Sequence, residues 1–155
     1  KVFVHRDFMP RNLMVVESEA RLTPGIIDFQ DAVIGPISYD VVSLFRDAFI
    51  SWDEEQEIDW VVRYWEKARA AGLSVREDFG AFWREYELMG LQRHLKVLGI
   101  FCRLKYRDGK DKYVEDLPRF MNYARKTAGR YVQLKPLLNL LDKLEGNTEQ
   151  IGYRR

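Results

Sequence analysis

The chain has 155 residues, enough for one domain with a buried core. An apolar fraction of 46%, with 14% aromatics, excludes a disordered chain. A net charge of +1 and the lack of any apolar run of ~18 residues leave neither nucleic acid nor a membrane as an expected partner.

The first segment holds most of the chemistry. Val2-Phe3-Val4 and Leu13-Met14-Val15-Val16 are short apolar runs that predict strands, and they enclose His5-Arg6-Asp7-Phe8-Met9-Pro10-Arg11-Asn12. Gly25-Ile26-Ile27 predicts a third strand after a turn at Thr23-Pro24-Gly25, and Asp28 stands at its end. The loop fits H-R-D-x-x-x-x-N, the catalytic loop of the protein-kinase superfold, and Asp28 is the acidic residue expected after it. Phosphoryl transfer needs a carboxylate beside the acceptor hydroxyl, a task for Asp7. It also needs oxygen ligands for magnesium, which Asn12 and Asp28 offer as an amide and a carboxylate. The competing explanation is ordinary structure: all three are turn-forming residues that cap strand ends.

Residues 30 to 37 predict a connector broken at Gly35-Pro36. Ser38 is then placed to cap a helix through Val41, Val42, Leu44, Phe45 and Phe49, with Arg46 and Asp47 off the apolar stripe. Asp53-Glu54-Glu55-Gln56-Glu57 opens a second helix that runs to about Ala71 and stops at Gly72. Its apolar face is Ile58, Val61, Val62, Trp65 and Ala68. The acidic opening complements the helix dipole and faces water, or else attracts a cationic substrate.

Ser74-Val75-Arg76-Glu77 has the form of a capping box and predicts the next helix start. Leu88, Leu91, Leu95, Leu98 and Cys102 keep helical spacing almost to Arg107, a span of ~50 Å if continuous. A break near Gly90 or Gly99 is therefore expected. His94 lies within this span and is expected to be structural. Cys102 is the one cysteine, so there is no disulfide framework, and a reducing, cytoplasmic compartment is expected. Asp116-Leu117-Pro118 predicts a further helix with Phe120, Met121, Tyr123, Ala124 and Tyr131 on its face. Pro136 opens a last helix through Leu137, Leu138, Leu140, Leu141 and Leu144, ended by Gly146.

Taken together, the catalytic loop, the short hairpin, Ile27-Asp28-Phe29-Gln30-Asp31-Ala32 and the helical remainder resemble the aminoglycoside/choline phosphotransferase family of small-molecule kinases. Within it, residues 5–15 and 25–51 look most like the anomeric sugar kinases that act on N-acetylmuramate and N-acetylglucosamine in cell-wall recycling. The resemblance is densest over residues 1–53. A protein kinase places glycine two residues after its magnesium aspartate and then a long activation segment. Here Gln30 holds that position and Asp40 follows twelve residues after Asp28, with helix already under way.

The resemblance implies an α+β, mostly helical, protein-kinase-like C-terminal lobe with ATP and magnesium as cofactors. It implies Asp7 as catalytic base, Asn12 and Asp28 as metal ligands, and His5 and Asp40 as supports of the catalytic loop. Arg6 and Arg11 stand open between phosphate or substrate contacts and solvated charges. The implied acceptor is a sugar, with an aminoglycoside, choline or other amino alcohol as the alternative. A non-catalytic binding module of the same fold is the rival from another class, and the presence of Asp7 and Asn12 argues against it. No Gly-rich loop and no strand lysine for the phosphates occur in the 155 residues, and the chain opens inside a strand. The expectation is a C-terminal lobe over 1–146, a flexible tail over 147–155, an N-terminal lobe elsewhere in the same enzyme, and no activity from this piece alone.

Overall fold

The computed structural model describes residues 1–16, 24–47, 50–110 and 115–146. The expected turn at Thr23, the place of Phe49 and the tail over 147–155 lie outside them. The fold is α+β and mostly helical, as the resemblance implies. It divides into two compact units, Lys1–Gly90 and Leu91–Arg155.

In the first unit, β1 (Val2–Val4) pairs antiparallel with β4 (Val33–Gly35), and β2 (Leu13–Met14) with β3 (Gly25–Ile26). Strand β4 corrects the expectation of a connector over 30–37. The Ala32 N–H reaches the Phe29 carbonyl at 3.1 Å and reverses the chain, which brings Val33 opposite Val4. Gly35 permits the close pairing, since a Cβ there would lie 3.1 Å from a Val4 methyl. Strand β2 stops at Met14, while Val15 and Val16 are exposed.

Helix α1 (Ser38–Phe45) starts at Ser38 itself, with Ile37 in the cap position and no side-chain cap. It buries Val41 and Val42, but Arg46 and Asp47 are buried as well, against the expectation that they lie off the packed face. Helix α2 (Glu54–Ala70) ends in a Schellman turn: Gly72 has φ +71°, and Leu73 N–H reaches the Ala68 carbonyl at 2.9 Å. Helix α3 (Phe79–Tyr106) does not begin at the Ser74 box. Asp78 is its cap, accepting the Ala81 N–H at 2.7 Å.

Nor does α3 break. It is one helix of 28 residues, about 42 Å long. Interior glycine weakens a helix by only about 1 kcal/mol, too little to interrupt one packed on both sides of it. Val41, Val42, Val61, Phe82 and Tyr86 form the core of the first unit, flanked by Tyr64, Trp65, Phe79 and Trp83.

The second unit holds α4 (Leu117–Arg130), a 3₁₀ turn at Val132–Leu134 and α5 (Lys135–Leu144), with Pro118 and Pro136 in the first turns of their helices. Leu91, Leu98, Phe120, Ala124, Ala128 and Leu141 are buried. Leu88 and Cys102, expected on one stripe with them, are exposed. His94 is fully buried and stacks on Tyr123 at 4.8 Å. Among the described residues no helix is long and apolar enough to cross a membrane.

Candidate active site

Segment 5–12 leaves β1 and must reverse before β2 within a few residues. A 3₁₀ turn over Pro10–Asn12, with proline in its first turn, does part of this. Arg6 does the rest by adopting φ +77°, a left-handed conformation costly for a side chain other than glycine. The cost is met by Asp40 in the first turn of α1. One of its oxygens accepts the His5 N–H at 2.7 Å and the other the Arg6 N–H at 3.0 Å. The Arg6 guanidinium donates to the Asp31 carbonyl at 3.2 Å, a further tie between the loop and the turn before β4.

His5 fastens the loop from the other side. Its buried Nε2 lies 3.0 Å from the carbonyl oxygen of Ile27, the residue before Asp28, and donates to it. The proton therefore resides on Nε2. The ring edge also meets Phe8 at 6.0 Å. Through this one imidazole the segment carrying Asp7 and the segment carrying Asp28 are held in register.

Asn12 joins the same two segments at closer range. Its buried amide nitrogen donates to the Asp7 backbone carbonyl at 2.8 Å and lies 3.4 Å from Asp28 Oδ2. The Ile27 N–H reaches the Asn12 carbonyl at 3.1 Å and extends the β2–β3 pairing to the edge of Asp28. Asp28 has φ +68°, which aspartate tolerates better than most residues. Its other oxygen accepts from Gln30 Nε2 at 2.8 Å. Both left-handed side-chain-bearing residues of the described chain thus lie in this one constellation, where strain is held by surrounding bonds.

The donor set suits a hard cation. With the Asn12 nitrogen committed to Asp7, its Oδ1 is the atom left for ligation, and Asp28 supplies carboxylate oxygen beside it. Magnesium keeps several waters and binds through one or two side chains plus phosphate, so two protein ligands suffice. Among the described residues no three His, Cys, Asp or Glu side chains cluster into a self-sufficient metal site. The Asp7 carboxylate is half-buried and has no hydrogen-bond or ion-pair partner among the described residues. Arg11 is exposed on the 3₁₀ turn.

Of the residues expected from sequence, Asp7, Asn12 and Asp28 share one bonded network, and His5, Arg6 and Asp40 brace it. Gln30 and the Ile27 carbonyl were missed. Gln30 has only its position two residues after Asp28 to signal a role, and a backbone carbonyl has no residue-type signature.

The expectation for the acidic cluster needs correction. Glu57 does not face water, nor is it open to a cationic substrate. It is buried, 2.5 Å from the Arg46 Nε and 2.6 Å from the Tyr86 hydroxyl, which donates to it. Burial opposes the Arg46 charge, but the acidic groups of Tyr86, Glu57 and Glu87 outweigh it and raise its pKa above the ordinary value. Arg46 is therefore an internal charge. Tyr64 has its pKa raised, first by burial and then by the Asp40 carboxylate, so it stays a neutral phenol beside the loop brace.

Comparison with known proteins places the chain in a family. A model of the phosphotransferase enzyme family matches residues 1–79, which hold the whole constellation. The chain belongs to that family. It is 61% identical over 149 residues to the N-acetylmuramate/N-acetylglucosamine kinase of Neisseria meningitidis serogroup B, covering 96% of this chain and 43% of that protein. The enzyme of the same name from Pseudomonas putida is 50% identical over 145 residues, covering 94% and 42%. That from Caulobacter vibrioides is 34% identical over 125 residues, covering 79% and 32%. The chain thus spans less than half the length of these curated relatives.

Proposed function

We propose that this chain is the C-terminal lobe of an ATP-dependent phosphotransferase whose acceptor is a sugar hydroxyl. In its specific form the acceptor is the anomeric hydroxyl of N-acetylmuramate or N-acetylglucosamine, in cell-wall recycling. The observation that carries this reading is Asn12, whose amide nitrogen lies between the Asp7 carbonyl and the Asp28 carboxylate in a chain so similar to kinases of that name. In this reading the lobe covers residues 1–146, with 147–155 a tail and a further N-terminal lobe covering the nucleotide. A reducing, cytoplasmic location belongs to the same reading and rests on the single cysteine.

The Asp7 carboxylate orients the acceptor hydroxyl and takes its proton as the new O–P bond forms and the bond from the γ-phosphorus to the bridging oxygen breaks. Asn12 Oδ1 and Asp28 would hold magnesium, which, when bound, would offset the negative charge of the phosphate oxygens. His5 and Asp40 keep the loop in the position that presents Asp7. Arg6 contributes through the Asp31 carbonyl, and Arg11, exposed on the same loop, contacts phosphate in this reading.

The test is phosphoryl transfer by the full-length protein with ATP, followed by phosphorus NMR, using N-acetylmuramate, N-acetylglucosamine, kanamycin and choline. The expected result is a sugar 1-phosphate from the two amino sugars and none from the other acceptors. Transfer to kanamycin or choline alone would replace the acceptor class, and no transfer to any of the four would overturn the reading.

A further inference from the structure

Beside the loop that carries Asp7, a groove of about 460 Å³ runs along one face of α2. That volume lies within the ~300–1,000 Å³ of small-molecule sites. Pro10 of the 3₁₀ turn and Leu44 contribute aliphatic surface, and the remaining lining is aromatic and cationic, with Phe45, Trp52, Trp60, Arg63, Tyr64 and Lys67. Trp60 packs on Phe45 at 5.3 Å and meets Trp52 edge-on at 4.9 Å, so the rings fix one another. Trp60, Arg63, Tyr64 and Lys67 recur at three- and four-residue intervals and so share a helix face. Phe45 and Tyr64 also line a second cavity of about 240 Å³ that extends to Phe8 and Asp40, the braced part of the loop.

This lining discriminates between acceptors. Flat aromatic surfaces accommodate the apolar C–H face of a pyranose ring, and they accommodate an ammonium group as well. The two cations decide between these, because they repel an ammonium and attract an anion. Arg63 is paired with Asp59 at 2.9 Å on the exposed side of α2. Lys67 has no ion-pair partner among the described residues. Resting on the sugar-phosphotransferase reading above, we infer that this groove seats the acceptor sugar and that Lys67, with Arg63, recognises a carboxylate borne by it. N-Acetylmuramate carries such a group; N-acetylglucosamine has the same ring without it.

Steady-state kinetics of the full-length protein with both sugars test the assignment. Lys67→Gln raises KM for N-acetylmuramate about fivefold, the size of one exposed charge pair, and leaves KM for N-acetylglucosamine within about twofold. The kcat values stay unchanged for both. Adding Arg63→Gln widens the gap between the two sugars, whereas Trp52→Ala raises both KM values together. Lys67 and Arg63 are exposed, so neither change threatens folding. If Lys67→Gln alters both sugars equally, or neither, in an enzyme whose wild type turns both over, the groove assignment falls and the phosphotransferase reading stands. A wild type that phosphorylates neither sugar overturns both.

Discussion

The carboxylate of Asp40 accepts the backbone N–H of His5 at 2.7 Å, across 35 residues of chain. Its second oxygen holds Arg6, the residue in left-handed backbone immediately before Asp7. The position of the proposed base is therefore set by a helix that begins about thirty residues later. Hydrogen bonds to a charged group contribute about 1.5–3 kcal/mol each. We expect Asp40→Ala to lower kcat of the full-length protein by at least ~10-fold with a smaller effect on KM. Asp40→Asn, which keeps one acceptor oxygen, retains more of the activity. A wild-type kcat in Asp40→Ala, with a lowered melting temperature, would reduce Asp40 to a purely structural residue.

Asn12 lends itself to a sharper substitution. Asn12→Asp removes the donor to the Asp7 carbonyl and sets a second carboxylate within reach of Asp28. An unsatisfied buried group costs about 1–3 kcal/mol, and like charges so close add to that. The expected outcome is a kcat reduced ~100-fold and a raised magnesium requirement, read from a titration of the ion at saturating ATP. An unaltered magnesium dependence would remove Asn12 from the proposed ligand set.

In the core of the first unit, the Arg46 guanidinium lies against the Tyr86 ring at 4.9 Å and is bonded to Glu57. Removing one partner of a buried pair leaves an uncompensated charge and costs about 3–5 kcal/mol. Glu57→Leu alone should therefore lower stability by up to about that much, whereas Arg46→Met with Glu57→Leu should recover part of it, because buried Glu87, 3.9 Å from the Arg46 guanidinium, then loses that partner. Urea denaturation of the four proteins in the cycle gives the coupling directly. Because the Arg46 pKa is raised, its contribution is complete below the ordinary arginine value and is lost only as pH rises through the folded-state value. No alkaline loss of stability from this pair is expected in the physiological range. A double variant whose loss equals the sum of the two single losses would refute the coupling.

Two glycines of α3 should respond with opposite sign to the same change. A Cβ at Gly99 meets nothing within 4 Å, so Gly99→Ala should stabilise by up to about 1 kcal/mol. At Gly90 the Cβ would come 3.2 Å from the Arg46 Nη1 and 3.6 Å from a Val42 methyl. Crowding of that buried guanidinium offsets the helical gain, and Gly90→Ala should be neutral or destabilising. Thermal melts that moved together would show that Gly90 has no packing role.

Helices α2, α4 and α5 were legible because three-and-four spacing of apolar residues survives their packing. The loop was legible because Asp7 and Asn12 stand at the intervals of H-R-D-x-x-x-x-N and Asp28 ends the apolar run after it. Strand β4 was not, since Val33 and Ile34 are exposed and three residues between two turns carry no periodicity. The start of α3 was misplaced because Ser74 and Glu77 mimic a capping box that Asp78 makes unnecessary. The buried ion pair escaped notice because Arg46 and Glu57, taken singly, read as surface charges; only folding brings them together. The groove was hidden for a related reason: Trp60 and Tyr64 are not among the residues of the stripe, Ile58, Val61 and Trp65, that identified the helix.

Asp7 is the proposed base for phosphoryl transfer, and Asp7→Asn tests that role most directly because the change preserves size and hydrogen-bonding shape. Turnover of N-acetylglucosamine and N-acetylmuramate by full-length Asp7→Asn, beside an unchanged melting temperature, should fall by ~10³-fold or more. A folded Asp7→Asn variant that keeps above about a tenth of wild-type kcat would contradict the account.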